Sequence, residues 1–343
     1  MALFRVIAGI FILLMPSYSI AGDLISEYEL PREHAYPTGI SIADDGNVWF
    51  LQYKANFLSK FNPKTRELEE FAIPTTKSGS IDSDFDSEGN LWFTQEDSCV
   101  LAKFNTSSKK FKEYLIPTRS TKPASIHVAR GGIVWVLGWN NDLLIKFDPK
   151  TEKFTEYKIP TRFSNSFDLA EDKVGNIWFV QRAGNNLTKF DPKTELFKQY
   201  PVGEQMQSPL GTVVDSEGYI WYLRMIDNKM VKFDTATGKS EDFPIPKNKG
   251  TQEIVIDKKN NIWLSQHTDN RLVKFSISSG GLTQVFDLPT LKSKPVSMGI
   301  GLDGGVWFTE VATNKIGFLD VKMAGELSKK LKVKVKVPEN IFR

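Results

Sequence analysis

Five ionisable residues stand at matching distances before a tryptophan that recurs along the chain. Asp82, Asp168 and Glu253 each stand ten residues before one of these tryptophans. Asp84 and His127 each stand eight residues before one. Because alternate residues of a strand point to the same side, the five side chains would share one face of extended segments. The four acids therefore predict either a site for a hard cation, Mg²⁺ or Ca²⁺, or a wet channel of hydrogen-bonded carboxylates.

A second polar set follows the same tryptophans. Three residues after each of them stand Gln52, Gln95, Gly138, Gln181, Arg224, Gln266 and Glu310. We expect each of these residues to end a strand near one mouth of a channel. Their amide, acid and guanidinium groups there would suit a polar, cyclic or oligomeric ligand. A purely structural ring of hydrogen bonds between repeats is the alternative. Tyr53, Glu96, Asp97, Trp139 and Arg182 occupy neighbouring places.

Histidine is scarce, with three copies in the chain. His267 directly follows Gln266 and is the best candidate for a general acid or base, with His127 as the second. The sequence contains no Ser-His-Asp spacing, no glycine-rich phosphate loop and no paired-histidine metal motif. Any catalysis would therefore depend on single residues brought together from different repeats.

The repeat itself decides the fold. The spacing is 42 to 44 residues between the tryptophans Trp49, Trp92, Trp135, Trp178, Trp221, Trp263 and Trp307. A phenylalanine follows eleven or twelve residues later in every copy, and a proline ends most copies. We expect these aromatic residues to pack between the repeats. Three landmarks kept in step over seven periods are typical of a repeat architecture.

Each repeat divides into four short strands. In the first repeat the predicted strands are 39–43, 47–52, 57–61 and 67–73, separated by turn residues and ended by Pro74. Short strands with frequent turn signals indicate an all-β protein, and four strands in each of seven repeats indicate a seven-bladed β-propeller. The innermost strands of a propeller line its central channel.

The two ends of the propeller should meet in one blade. The segment 27–31 reads Glu-Tyr-Glu-Leu-Pro, which resembles the fourth strands at 113–117 and 156–160. The last repeat has no matching fourth strand in phase. We therefore expect the N-terminal strand to complete the last blade and to remove two open sheet edges.

The termini carry separate signals. Residues 1–21 read as a signal peptide, with Arg5, an apolar stretch at 6–15 and small residues before a cleavage site after Ala21. The propeller is expected at 22–322, followed by a basic tail at 323–343. Within that tail, 331–337 alternates lysine and apolar residues, as in an additional edge strand.

Composition narrows the function classes. The net charge of +3 comes largely from the basic tail, so a nearly neutral body argues against a nucleic-acid partner. No other apolar run is long enough to span a membrane. Cys99 is the single cysteine, so no intrachain disulfide can form. We expect an exported, monomeric protein: periplasmic, extracellular or on the cell surface.

The repeat motifs resemble those of the streptogramin B lyase (virginiamycin B lyase) family. The matching text is Trp-Phe-Thr-Glu at 307–310, Asn-Lys-Ile-Gly at 314–317 and Trp-Phe-Thr-Gln at 92–95. The resemblance implies a seven-bladed propeller that linearises a cyclic depsipeptide by C–O elimination, assisted by Mg²⁺, with a histidine base and a glutamate near the channel mouth. On this chain those catalytic roles would fall to His267, Glu310 and His127.

Three functions remain in view. The leading one is an exported propeller that binds a small molecule, glycan, peptide or partner protein at the channel mouth. The second is a Mg²⁺-dependent carbon–oxygen lyase. The third is a metal-dependent, lactonase-like hydrolase that uses Asp82, Asp84, Asp168 and Glu253. Most of the family's signature glutamate positions hold glutamine here, so the sequence leaves enzymatic activity undecided.

Overall fold

The computed structural model describes residues 11–13, 16–17, 24–246 and 250–330. They form thirty strands, one short 3₁₀ helix (Ile277–Ser279) and one α-helix, α1 (Val321–Lys330). The strands are β1 (Phe11–Leu13), β2 (Pro16–Ser17), β3 (Ile25–Glu29), β4 (Pro37–Ile42), β5 (Val48–Gln52), β6 (Phe57–Phe61), β7 (Glu67–Ala72), β8 (Ser80–Phe85), β9 (Asn90–Gln95), β10 (Val100–Asn105), β11 (Lys110–Leu115), β12 (Pro123–Val128), β13 (Val134–Gly138), β14 (Leu143–Asp148), β15 (Lys153–Lys158), β16 (Ser166–Glu171), β17 (Ile177–Gln181), β18 (Asn186–Asp191), β19 (Leu196–Pro201), β20 (Pro209–Val214), β21 (Ile220–Arg224), β22 (Lys229–Phe233), β23 (Ser240–Pro244), β24 (Thr251–Ile256), β25 (Asn261–Gln266), β26 (Arg271–Ser276), β27 (Leu282–Asp287), β28 (Pro295–Ile300), β29 (Val306–Glu310) and β30 (Lys315–Leu319).

The strands form seven antiparallel sheets, which we number as blades 1 to 7. Blades 1 to 6 are β4–β7, β8–β11, β12–β15, β16–β19, β20–β23 and β24–β27, each written from the inside outwards. Blade 7 consists of β28, β29, β30 and the N-terminal strand β3. Each inner strand contacts the next, and β28 contacts β4, so the ring is closed. The prediction of a seven-bladed propeller closed by the N-terminal strand is confirmed.

The hairpin between the first two strands of each blade requires a left-handed residue. In blade 1 this residue is Gly46, with φ of 84°, and its amide donates to the carbonyl of Ala43 at 2.9 Å. Glycine occupies the same place in five other blades, and Asn260 occupies it in blade 6 with φ of 58°. Glycine and asparagine tolerate this conformation best, which explains the glycine that precedes nearly every repeated tryptophan.

Aromatic residues fill the space between neighbouring blades, as predicted. Trp49 of blade 1 lies 5.6 Å from Phe104 of blade 2, measured between ring centroids. Rings lie 5.6–5.7 Å apart in the equivalent pairs Trp92–Phe147, Trp135–Phe190, Trp178–Phe233, Trp221–Phe275 and Trp307–Phe61. Tilted aromatic pairs at this separation stabilise the interface beyond their buried area.

Outer strands are joined from blade to blade by a repeated polar contact. Glu113 of blade 2 accepts a hydrogen bond from the hydroxyl of Thr75 at 2.9 Å, and Glu156 of blade 3 accepts one from Thr118 at 2.6 Å. In the blade that closes the ring, Glu27 of β3 accepts the backbone amide of Thr290 at 3.0 Å. The closing strand is therefore held by the same kind of contact as the outer strands of blades 2 and 3.

The terminal segments differ in part from expectation. The strands β1 and β2 extend the outer edges of blades 1 and 7, where they pair with β7 and β3. The first part of the basic tail is the helix α1, which the sequence pattern did not predict. The expected edge strand at 331–337 lies outside the described residues, and signal-peptide cleavage stays a prediction. Within the described residues, no helix has the length and apolarity needed to cross a membrane.

Candidate functional site

The central channel brings the predicted acidic residues together. A cavity of about 520 Å³ is lined by the inner strands, with Asp82, Asp84, His127, Asp168 and Glu253 on its surface. Apolar side chains supply much of the remaining wall, including those of isoleucine and valine. The alternation of side chains along a strand therefore correctly places all five side chains in the channel.

The channel acids already have structural partners in the next blade. Asp82 accepts the backbone amide of Ile126 at 2.9 Å, and Asp168 accepts that of Gly211 at 3.0 Å. Glu253 accepts the amide of Met298 in the same way. Two serines at the equivalent position, Ser125 and Ser297, accept amides from Asp168 and Gly39 at 3.1 and 3.0 Å. The position ten residues before the tryptophan thus links neighbouring inner strands.

These three acids hold protons more tightly than ordinary carboxyl groups. Burial raises the pKa of Asp82 to about 7 and the pKa of Asp168 to about 6. Burial also raises the pKa of Glu253 well above its usual range, and the negative charges of Asp82 and Asp168 add to this effect. Near neutral pH the cluster therefore carries less than its full negative charge.

The channel acids do not fit the Mg²⁺ or Ca²⁺ site that their positions in the sequence predicted. In the part of the chain that the structure describes, no three His, Cys, Asp or Glu side chains come close enough to hold a metal ion. Asp82 and Asp84 also accept backbone amides through both of their oxygens. Because hard cations require several converging free oxygens, we assign no metal-dependent step to this cavity.

His127 lies in an ion-pair network that spans three blades. Its Nδ1 is 3.4 Å from Asp84, and its Nε2 is 3.7 Å from Glu171. Burial alone would lower the pKa of His127, but the two carboxylates outweigh burial and raise this pKa to about 9. The contact with His127 is the main cause that lowers the pKa of Glu171 to about 2. His127 is therefore an imidazolium at neutral pH and cannot act there as a general base.

The four glutamines that stand three residues after a tryptophan, Gln52, Gln95, Gln181 and Gln266, do not face the channel mouth. Gln52, Gln95 and Gln181 are fully buried inside their blades. Nε2 of Gln52 donates to Glu70 at 2.6 Å, and Nε2 of Gln95 donates to Glu113 at 2.7 Å. The expectation of a ligand-facing glutamine ring is thus wrong, because strands of the same blade supply the hydrogen-bond partners. The outermost strand does so for Gln52 and Gln95, and Thr188 on the third strand does so for Gln181. A structural role, the alternative left open above, is what these hydrogen bonds show.

Glu310 takes the place of the glutamine in blade 7. It is fully buried, and its carboxyl group faces that of Glu27 on the closing strand. Burial, followed by the charge of Glu27, raises the pKa of Glu310 to about 8. A protonated Glu310 can therefore donate to Glu27 as Gln52 donates to Glu70.

We predict that Glu310→Gln stabilises the protein in alkaline solution. Because the folded-state pKa of Glu310 is raised, its contribution to stability is present at pH 4 and is lost as the pH rises through 8. Glutamine does not ionise, so the variant should match wild type near pH 4 and exceed it by about 1 kcal/mol at pH 9. Urea unfolding at both pH values measures this difference. Equal or lower stability of the variant at pH 9 would contradict the assignment.

The residues that border the channel mouth stand one position further along the chain, four residues after each tryptophan. The amides of Tyr53, Glu96 and His267 donate to the carbonyls of Tyr36, Gly79 and Gly250 at 2.9–3.1 Å. Trp139 and Arg182 make the equivalent contact in blades 3 and 4. The backbone geometry of the loops is thus repeated, whereas the side chains differ from blade to blade. Such variation on a fixed framework is typical of a binding surface.

Five residues at the mouth interact with one another, and we call them the mouth cluster: Tyr53, Glu96, Asp97, Lys122 and Trp139. Asp97 accepts from the Tyr53 hydroxyl at 2.9 Å and from Lys122 at 2.6 Å. Lys122 also lies 3.6 Å from Glu96, whose carboxylate adjoins the indole of Trp139. Burial and the bond to Asp97 raise the pKa of Tyr53 above its usual range. The cluster therefore presents aromatic, anionic and cationic groups held in place across three blades.

His267 lies on the same mouth, in blade 6. It is half-buried, and burial together with the charge of Lys294 lowers its pKa below the usual value. It is therefore a neutral imidazole at pH 7 and is able to accept a proton. Glu310 is enclosed within blade 7, so the structure does not show these two predicted catalytic residues in contact.

Comparison with known proteins agrees with this architecture. The sequence profile of the Virginiamycin B lyase family matches residues 18–221 and 150–337. The chain belongs to the virginiamycin B lyase family. No protein of curated function matches its sequence.

Solved structures of this family superpose on most of the chain. A streptogramin B lyase is 26% identical, with a TM-score of 0.80 over 86% of this chain and 97% of that one. Virginiamycin B lyase from Staphylococcus aureus is 22% identical, with a TM-score of 0.79 over 87% and 99%. A catalytically inactive histidine-to-alanine variant of the Staphylococcus aureus enzyme, solved with quinupristin, is 21% identical, with a TM-score of 0.79 over 87% and 99%.

Proposed function

We propose that this member of the virginiamycin B lyase family binds a peptide-like ligand, cyclic or linear, at the mouth cluster. The observation that carries the proposal is the linked set Tyr53, Asp97, Lys122, Glu96 and Trp139, whose members come from three blades. Their positions are set by hydrogen bonds before any ligand arrives, so little conformational entropy is lost on binding.

The chemistry of the cluster suits a peptide. The indole of Trp139, with Phe167 at 6.0 Å, offers an aromatic surface for an apolar side chain. Glu96 and Asp97 can accept amide or ammonium hydrogens, and Lys122 can donate to a carbonyl. A related propeller has been solved with quinupristin, which makes that compound a suitable probe. We also propose, from the signal-like N-terminus, that the mature protein acts outside the cytoplasm.

Trp139→Ala should weaken quinupristin binding by at least about thirtyfold, because a central aromatic contact contributes ~2 kcal/mol or more. Isothermal titration calorimetry of the wild type and the variant measures this change. The matched control is Leu302→Ala, an exposed apolar residue in a hairpin at the opposite end of the channel. The control should bind as the wild type does. Absence of binding to the wild type, or equal binding to the Trp139 variant, would overturn the proposal.

A lyase reaction is the second candidate, and the neutral imidazole of His267 at the mouth favours it. Reversed-phase chromatography of quinupristin after incubation with the protein, with and without added Mg²⁺, separates the intact ring from the opened product. Ring opening that is lost in His267→Ala would establish the lyase. Recovery of intact quinupristin would leave binding as the activity. The channel acids do not favour the lactonase-like hydrolase, because their oxygens are engaged by backbone amides.

A further inference from the structure

Five of the loops that join one blade to the next have the same build, and we call them the tip loops: 31–36, 74–79, 117–122, 160–165 and 289–294. The fifth residue of each loop is fully buried, and these residues are Ala35, Ser78, Thr121, Ser164 and Ser293. In three loops its backbone amide donates to a side chain of the preceding blade at 2.7–2.9 Å, in the pairs Ala35–Asn314, Ser78–Asn56 and Ser164–Asp142. The tip loops are therefore anchored to the blades beneath them.

The tip loops lie on the mouth face, the end of the propeller that carries the mouth cluster. The amides of Tyr53 and Trp139 donate to the carbonyls of Tyr36 and Lys122, which belong to two of these loops. The third and fourth residues of every tip loop are exposed. These pairs are Glu33–His34, Thr76–Lys77, Arg119–Ser120, Arg162–Phe163 and Leu291–Lys292. The mouth face thus presents ten tip residues to whatever approaches it.

Phe163 and Leu291 expose large apolar side chains at these tips. They are 79% and 81% exposed, more than any other large apolar residue in the described part of the chain. Phe163 also has a φ of 53°, in the left-handed region that an aromatic residue rarely adopts. Its loop holds it there, since Asp142 accepts the amide of Phe163 at 2.9 Å. Neither side chain packs in the core, and each adjoins a basic residue in the chain, Arg162 or Lys292.

The exposed tips carry an excess of positive charge. Among the ten tip residues four are basic, and Glu33 alone is acidic. The basic ones form no ion pair within the described residues, and they are Lys77, Arg119, Arg162 and Lys292. Several acids elsewhere on the mouth face are already paired, as Glu96 and Asp97 are with Lys122. The tips therefore attract an anionic surface.

We propose that the mouth face binds an anionic lipid bilayer. Phe163 and Leu291 enter the boundary between headgroups and acyl chains, and the basic tip residues contact the lipid phosphates. The two apolar tips stand three blades apart in a ring of seven, so they form no continuous apolar patch for a protein partner. A flat and fluid surface reaches both of them at once. The inference rests on the tip loops and not on the proposed peptide binding.

Co-sedimentation of the full chain with lipid vesicles tests the proposal. Vesicles made of equal amounts of phosphatidylcholine and phosphatidylglycerol should bind the wild type, and this binding should weaken at high salt. Vesicles of phosphatidylcholine alone should bind at least about tenfold more weakly. Equal binding to both kinds of vesicle would overturn the proposal. Absence of binding to either kind would also overturn it and would assign the tips to a protein partner.

A double variant at the apolar tips locates the contact. Phe163→Ser combined with Leu291→Ser should weaken binding to the mixed vesicles at least about tenfold, because both apolar side chains are lost from the interface. The matched control combines Val174→Ser with Leu302→Ser, two exposed apolar residues in hairpins at the opposite end of the channel. The control should bind as the wild type does. Equal binding by the tip variant and the control would contradict the assignment.

A second double variant tests the charge. Arg162→Gln combined with Lys292→Gln should weaken binding to the mixed vesicles at least about tenfold and reduce its dependence on salt. Both residues are exposed, so these substitutions leave the fold intact. The N-terminal segment and the basic tail are the same in every variant, so binding through them would be equal in all. Full-strength binding by this variant would mean that the tip loops do not contact the lipid.

Discussion

Glu27→Ala should lower the free energy of unfolding by about 2–4 kcal/mol, because it breaks a buried ion pair at the ring closure. Glu27 is 2% exposed and accepts hydrogen bonds from both the amide and the hydroxyl of Thr290. Nζ of Lys315, also buried, lies 3.1 Å from the same carboxylate. Removing Glu27 leaves the Lys315 ammonium without this partner and releases the contact that joins blade 6 to the closing strand.

The matched control for this prediction is Glu29→Ala on the same strand. Glu29 points to solvent and lies 3.8 Å from Lys315, so its loss should cost less than about 1 kcal/mol. Urea unfolding followed by circular dichroism measures both variants. If Glu27→Ala were no less stable than Glu29→Ala, the N-terminal strand would not close the ring in the way described.

Asp168→Asn should stabilise the protein by about 1–2 kcal/mol at pH 8 and leave its stability unchanged at pH 4. Burial raises the pKa of Asp168 to about 6 in the folded protein. Its contribution to stability is therefore fully present below pH 4 and is lost as the pH rises through 6. Asparagine keeps an acceptor for the amide of Gly211 and suits the left-handed φ of 54° at this position. We expect less than the full effect of the pKa shift because water enters the channel.

The control is Glu204→Gln, which removes an exposed carboxylate far from the channel acids in sequence. The substitution should change the free energy of unfolding only slightly, and by a similar amount at pH 4 and at pH 8. Denaturant unfolding of the three proteins at both pH values gives the comparison. A loss of stability in Asp168→Asn at pH 8 would mean that the ionised carboxylate is required in the channel.

The fold could be predicted because its signals repeat. Tryptophan, phenylalanine and proline recur at fixed spacing, and each copy must fill the same gap between blades. Ring closure could also be predicted, since residues 27–31 copy the fourth strand of other blades. Helix α1 (Val321–Lys330) could not, because its ten residues are fewer than the window of about 11–18 residues in which a helical period is recognised.

The candidate site was harder to predict for physical reasons. Strand alternation placed Asp82 and Glu253 in the channel, but it could not show that backbone amides of the next blade occupy them. It also could not show that Gln52 turns inward, because Glu70 on the outermost strand decides that direction. Glu171 was missed because its long side chain reaches His127 from the end of a strand, outside the positions that alternation compares.

Hydrogen–deuterium exchange with and without quinupristin tests the central claim most directly, since it locates the ligand on the intact protein. If the peptide-like ligand binds at the mouth cluster, slowed exchange should be confined to the loops that carry Tyr53, Glu96 and Trp139. The inner-strand hairpins at the other end of the channel should exchange as before. Slowed exchange at those hairpins, or no change at the three loops, would contradict the account.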